Sequence, residues 1–148
     1  MDDLVRWLGA QLDEDERIAR ATLWDDDAAL GSGRWRSYDR GPGFVHREAR
    51  WVVIDGADEG VVDYRPQAAD DEAVARHIAE HDPARVLREI DAKREILATV
   101  QLHLDAATST DSMLSGPAKM GLVALRPVVK ALASPYTERP GFLDEWRP

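Results

Sequence analysis

Apolar residues in the first third of the chain recur at Leu4, Trp7, Leu8, Leu12, Ile18, Ala19, Ala21 and Leu23, largely with the spacing of one helical face. With Asp2 or Asp3 as cap, this predicts a helix over 3–29, ended by Gly31-Ser32-Gly33. The run Asp13-Glu14-Asp15-Glu16 inside it also suits an amino-terminal turn, so a second helix starting there stays open. The middle third changes to β-branched and aromatic residues between turn formers. Trp35 to Tyr38 reads as a short strand, Gly41-Pro42-Gly43 as a turn, Phe44 to Ile54 as a longer strand, Gly56 to Gly60 as a loop and Val61 to Tyr64 as a return strand.

After Arg65-Pro66 the helical period returns. Asp70 or Asp71 caps a short helix carrying Val74 and Ile78, and Asp82-Pro83 starts another, with proline at the first position, where its missing N–H is not needed. Val86, Ile90, Leu97, Val100 and Leu104 lie within about 40° of one line along a helix, which makes 83–105 the predicted central helix. Residues 105–116 read as a flexible connection. Ser115 and Pro117 then start a helix bearing Leu122, Leu125, Val128, Val129 and Leu132, which Pro127 should kink or split. Residues 134–148, with three prolines, read as an extended tail around the surface. The expected fold class is α+β: a long N-terminal helix, a small antiparallel sheet of about three strands, a helix-corner-helix with the central helix, a kinked C-terminal helix and the tail. A sheet this small must lay one face on helices.

At 148 residues the chain suits a single domain over 1–148, and a chain of this size buries about two thirds of its unfolded surface without metal or disulfide. It has no cysteine, which excludes disulfides, thiolate zinc sites and cysteine nucleophiles. The opening Met1-Asp2-Asp3 lacks the basic-then-apolar pattern of a secretory signal and no apolar run approaches membrane-spanning length, so the expected location is cytoplasmic. The net charge of −9 is unevenly placed: residues 1–30 carry nine acids against three bases, 34–50 five bases against two acids, and 55–72 seven acids against one base. Such a chain repels nucleic acid at long range, while its basic segment suits an acidic ligand or the protein's own acidic helix.

Three stretches, residues 1–8 (MDDLVRWL) with 12–21 (LDEDERIARA), 77–97 (HIAEHDPARVLREIDAKREIL) and 133–148 (ASPYTERPGFLDEWRP), together resemble a family of small actinobacterial and phage-borne proteins of uncharacterised function. The resemblance covers both ends of the chain and the central corner. It implies an identity without an activity. Many members of that family carry cysteines or extra histidines between the central helix and the tail, spaced as if for zinc; here only His103 stands in that region.

Several residues carry candidate chemistry. His77 and His81 are four apart on one helix, a spacing that can direct two imidazoles at one metal, but no third ligand or general-base glutamate accompanies them; the plainer role is packing and hydrogen bonding at the corner. Lys93 falls inside the apolar stripe, where burial could lower its pKa and make it a base or nucleophile; the ordinary outcome is a packed stem whose ammonium reaches Glu89 or water. Arg94 beside it is placed to meet an acid of another element. Arg34, Trp35, Arg36 and Arg40, continued by Phe44, His46, Arg47, Arg50 and Trp51, interleave cations with rings in the manner of single-strand binders. The clusters Asp13–Glu16 and Asp25–Asp27 could imitate a line of phosphates, though charge runs are usually solvated surface. Asp55, Asp58, Glu59 and Asp63 match a calcium loop only loosely. No phosphate-binding glycine loop or serine-nucleophile motif occurs, and no cofactor or resident metal is expected.

The reading favoured is a non-enzymatic protein-interaction or regulatory module, of phage or mobile-element origin, contacting a protein partner through its acidic helical surface or an exposed aromatic tail. Its rivals are a metal- or lysine-dependent enzyme around His77, His81 and Lys93, a single-stranded nucleic-acid binder through 34–51, and an acidic nucleic-acid mimic. A second copy of the chain could also cover the apolar stripe of the central helix.

Overall fold

The computed structural model describes residues 1–24, 31–41, 51–62 and 70–148. In chain order the elements are α1 (Asp2–Ala21), β1 (Trp35–Asp39), β2 (Trp51–Asp55), β3 (Gly60–Val62), α2 (Asp71–Glu80), α3 (Pro83–Ala107), α4 (Ser112–Ala133) and two 3-10 turns, Ser134–Tyr136 and Asp144–Trp146. The fold is α+β, with the expected long first helix and a three-stranded antiparallel sheet. The contacts fall into two compact units, Met1–Asp15 with Ile90–Pro148, and Glu16–Glu89; the division lies inside α1 and inside α3.

In the unit Glu16–Glu89 the sheet has the order β1-β2-β3, and β1 pairs with β2 from Trp35 opposite Asp55 to Asp39 opposite Trp51. The register of β2 against β3 shifts between Val53 and Ile54. The central strand is buried on both faces, as its run of Val52, Val53 and Ile54 requires. Helix α2 lies against β1 and β2 and meets Val53 with Ala75 and Ala79, whose small side chains allow a close approach; Trp35, Trp51, Val61, Val62 and Ile78 close the cluster. The inward face of α2 is thus alanine, while Val74 is exposed. Asp70 caps α2 by accepting from the Ala73 N–H at 3.1 Å. The corner into α3 works as its sequence predicts: Asp82 accepts from the Arg85 N–H at 2.6 Å, and Pro83 occupies the first helical position. The Ala84 N–H also donates to the Gly33 carbonyl at 2.9 Å, which stitches the start of α3 to the segment entering β1.

In the other unit, Leu4, Leu8 and Leu12 of α1, Ile90, Leu97 and Val100 of α3, and Ala118, Val129 and Ala133 of α4 are buried. The C-terminal stretch is secured to α1 by two side chains. Trp7 lies against three rings at once, with centroids 6.5 Å from Tyr136, 5.6 Å from Phe142 and 5.4 Å from Trp146, and its indole N–H donates to the Pro140 carbonyl at 3.1 Å. Asp15 accepts from the Tyr136 hydroxyl at 2.8 Å and forms an ion pair with Arg139, whose guanidinium sits 4.8 Å from the Tyr136 ring centroid. Gly141 makes the reversal between them: its φ of +84° is left-handed, and a Cβ there would stand 3.0 Å from the Trp7 nitrogen.

Four expectations change. Helix α1 runs unbroken through Asp13–Glu16, but it ends at Ala21 rather than 29, because the Thr22 hydroxyl and the Leu23 N–H take the carbonyls of Ala19 and Arg20 in a closing turn; residues 25–29 lie outside those described. The connection expected over 105–116 shrinks to 108–111, because its polar residues terminate and cap helices: Thr108 donates to the Asp105 carbonyl, and Asp111 accepts from the Met113 N–H at 2.8 Å. Helix α4 starts at Ser112 rather than at Ser115, and of the kink or split expected at Pro127 the split does not occur, since the helix continues to Ala133. The tail folds into two 3-10 turns, and its aromatics are not displayed: Tyr136 and Trp146 are buried, drawn inward by Trp7. Of the expected strands, residues 44–50 and 63–64 lie outside those described.

Replacing Trp7 by Ala removes the ring shared by three others and should cost about 3 kcal/mol, the low end for a large aromatic because Trp7 is half-exposed. Urea unfolding measures the loss, and limited proteolysis should move to 134–148 before any other segment; a change below about 1 kcal/mol would mean that Trp7 is not the anchor.

Candidate functional site

The β2–β3 turn begins with a carboxylate withdrawn from water. Asp55 is 1% exposed, and Trp24, Ala57 and Glu59, which donate to it, belong to the same unit. Its Oδ1 accepts from the backbone N–H of Ala57 at 2.9 Å and of Glu59 at 3.0 Å, and its Oδ2 accepts from the Trp24 indole N–H at 2.7 Å. Burial by itself raises the pKa of this carboxyl; the hydrogen bonds from Trp24, Glu59 and Ala57 outweigh it and hold the value below the ordinary one. Asp58 in the same turn adopts φ +65°, which a short polar side chain tolerates. The turn is clipped to the segment before β1: the Gly56 N–H donates to the Gly31 carbonyl at 3.1 Å, and a Cβ on Gly56 would fall 2.7 Å from that oxygen, so only glycine permits the approach.

Asp55 stands directly across from Trp35 in the β1–β2 register. Between them opens a cavity of about 720 Å³ lined by Thr22, Trp24, Ser32, Trp35, Asp55, Glu59 and the β3 residues Gly60 to Val62. The N–H groups of both indoles are taken by the protein itself, Trp24 by Asp55 and Trp35 by the Ser32 carbonyl at 3.0 Å. Two carboxylates and no base line this cavity among the described residues.

A second feature lies on α4. Between Asp111 and Glu138 the chain has no acid at all, only Lys119, Arg126 and Lys130. Ser115, Ala118, Val129 and Ala133 of α4 face inward. On the opposite side Met113, Gly116, Pro117, Met120, Val123, Ala124, Pro127 and Ala131 are all exposed and lie within about 60° of the line through Met120, with the three bases along one edge. Met113 is 80% exposed, Met120 77% and Val123 76%, the reverse of the usual arrangement for such side chains.

The residues singled out in the sequence are placed as follows. His77 and His81 are exposed, their rings 4.4 Å apart, and His81 Nδ1 meets the His77 carbonyl at 2.8 Å, a corner role. No group of three or more side chains able to hold a metal occurs among the described residues. Lys93, half-buried, directs its ammonium to 5.9 Å from the Tyr136 ring centroid. Arg94 pairs with Asp13 of α1 at 2.6 Å, and His103 places Nδ1 against the Thr99 carbonyl at 2.9 Å. Arg34 is exposed, Arg40 is half-buried, and Arg36 pairs with Asp58 and lies over the Tyr38 ring. Trp35 alone of this set lines the cavity. Phe44, His46, Arg47, Arg50, Asp63 and the cluster Asp25–Asp27 lie outside the described residues. Sequence reasoning passed over Trp24, Ser32 and the outer face of α4; the long stretch without an acid was the available signal for the last.

Asp55→Asn keeps an oxygen for the two backbone donors but turns an NH2 toward the Trp24 N–H, donor against donor, and should cost about 1–3 kcal/mol near neutral pH. Because the folded-state pKa of Asp55 lies below the unfolded one, its contribution is present above the unfolded value and is lost as pH falls through the folded one. Stability of the protein and of Asp55→Asn, followed by urea unfolding, should therefore converge below about pH 4; curves that stay parallel down to acid would contradict the assignment.

No curated protein and no solved structure matches this chain. One family model does, over residues 1–148, and with its full length matched the chain belongs to DUF6221, a family of unknown function.

Proposed function

We propose that this protein is a non-enzymatic interaction module of the cytoplasm that receives an acidic amphipathic helix of a partner protein on the outer face of α4. One observation carries the reading: a helix whose exposed side is apolar from Met113 to Ala131, edged by three bases and free of acids, in a chain of net charge −9. Exposed methionines adapt to a partner's shape, and Gly116, Ala124 and Ala131 let a second helix come close. On the basic edge Lys119 and Arg126 are exposed and complement acids flanking the partner's apolar stripe, while Lys130 donates to the Arg147 carbonyl at 2.8 Å. A second copy seated through the same face would bring like charges together. An anionic membrane is disfavoured too, since the chain's net charge opposes approach and the face offers no aromatic ring to the interface.

The rivals draw less support. Among the acids proposed as a phosphate mimic, Asp13 and Asp15 are engaged by Arg94 and Arg139, and Glu16 by Arg20. Of the cations proposed to grip nucleic acid, Arg36 is engaged by Asp58. The aromatic tail, being buried in part, gives way to α4 as the docking surface. A phage or mobile-element source, suggested by the resemblance of the ends and the central corner, suits a module that acts on a partner rather than on a metabolite.

A labelled synthetic helix with leucine at its apolar positions and glutamate beside them serves as probe. Fluorescence anisotropy should give saturable binding that weakens with salt, and Met120→Glu or Val123→Glu, exposed and without effect on helix content, should weaken it at least about tenfold. Absence of binding at about 100 micromolar, binding to anionic vesicles in its place, or a dimer by light scattering that the same substitutions dissolve would each overturn the proposal.

A further inference from the structure

We infer that the cavity between Trp24 and Trp35 is a binding site for a small organic cation with an apolar body, an alkyl- or quaternary ammonium. The Trp24 indole donates its N–H to Asp55 and the Trp35 indole donates its own to the Ser32 carbonyl, so a ligand in the cavity meets the π-systems of two indoles whose donors are already taken. The face of an indole carries the negative side of the ring quadrupole, which attracts a cation. Trp24 remains 56% exposed although its nitrogen is fixed, so its ring is held in place without being covered.

Charge selects in the same direction. The described lining contains Asp55, 99% withdrawn from solvent, and Glu59, with no lysine, arginine or histidine to neutralise them. Asp55 is committed to three donors and acts on the ligand through its field, whereas Glu59 is exposed at the rim and free to approach an ammonium group. An anion would be repelled by both. Val61 and Val62 of β3 provide the apolar wall for the alkyl part, and the cavity of about 720 Å³ lies within the size range of small-molecule sites. Its frame is tied together by the Gly31–Gly56 hydrogen bond, the Asp55 turn and the cross-strand pairing of Trp35 with Asp55.

Choline is a suitable probe, compared with the uncharged alcohol in which a tert-butyl group replaces trimethylammonium. Titration of the intact protein, followed by the indole N–H signals of Trp24 and Trp35 in heteronuclear NMR, should show saturable shifts of both with choline and binding at least about tenfold weaker for the alcohol. Glu59→Gln, which leaves the backbone N–H to Asp55 in place, should weaken choline several-fold without altering the alcohol. No saturable shift up to about 50 mM choline, equal binding of the two compounds, or choline affinity unchanged in Glu59→Gln would overturn the inference. Every one of these outcomes is read on a protein whose fold needs no substitution at Asp55.

Discussion

The unit that holds the sheet is organised by a single negative charge placed where water does not reach. An isolated carboxylate in that position would be severely penalised, and Asp55 is tolerated because three donors from two segments converge on it. Two of them set the β2–β3 turn and the third fixes Trp24, so one side chain ties the start of β3 and the chain after α1 to the same point of the sheet. The cavity beside it is therefore a by-product of satisfying a buried charge.

The other unit solves a different problem with similar means. A proline-rich terminus has few backbone hydrogen bonds of its own to offer, so its order comes from side chains: one indole that touches three rings and one carboxylate that holds a tyrosine and an arginine. Both groups stand on α1, two turns apart, and the acidic run that looks like simple solvated surface includes the anchor for the opposite end of the chain.

Much of the fold was legible because its boundaries are written in local chemistry. Asp70 and Asp82-Pro83 announce helix starts through groups that must be satisfied within a few residues, and β2 announces itself as a run of valine and isoleucine. The failures share a cause. Serine, threonine and aspartate over 105–116 suit a loop and a cap equally, and only the competing helix ends decide. On α4 apolar residues surround most of the helix, so periodicity identifies a helix without telling which side is inward; the answer, small residues inside and methionines outside, depends on how closely neighbouring elements approach. The cavity was least legible of all, since Trp24, Ser32, Trp35 and Asp55 are joined by register and turn geometry rather than by spacing. Membership of DUF6221 places the whole chain in one family without supplying a chemistry.

The contact between Gly31 and Gly56 has a consequence for how such a sequence can change over time. A Cβ on Gly56 would fall 2.7 Å from the Gly31 carbonyl oxygen, and one on Gly31 would stand 3.2 Å from the Gly56 Cα while that residue also holds a left-handed φ of +80°, so each position disfavours a side chain for its own reason. Two turns distant in the chain are thus coupled: a side chain introduced at Gly56 fits only if the backbone at Gly31 moves with it, so the two positions tolerate replacement together or not at all.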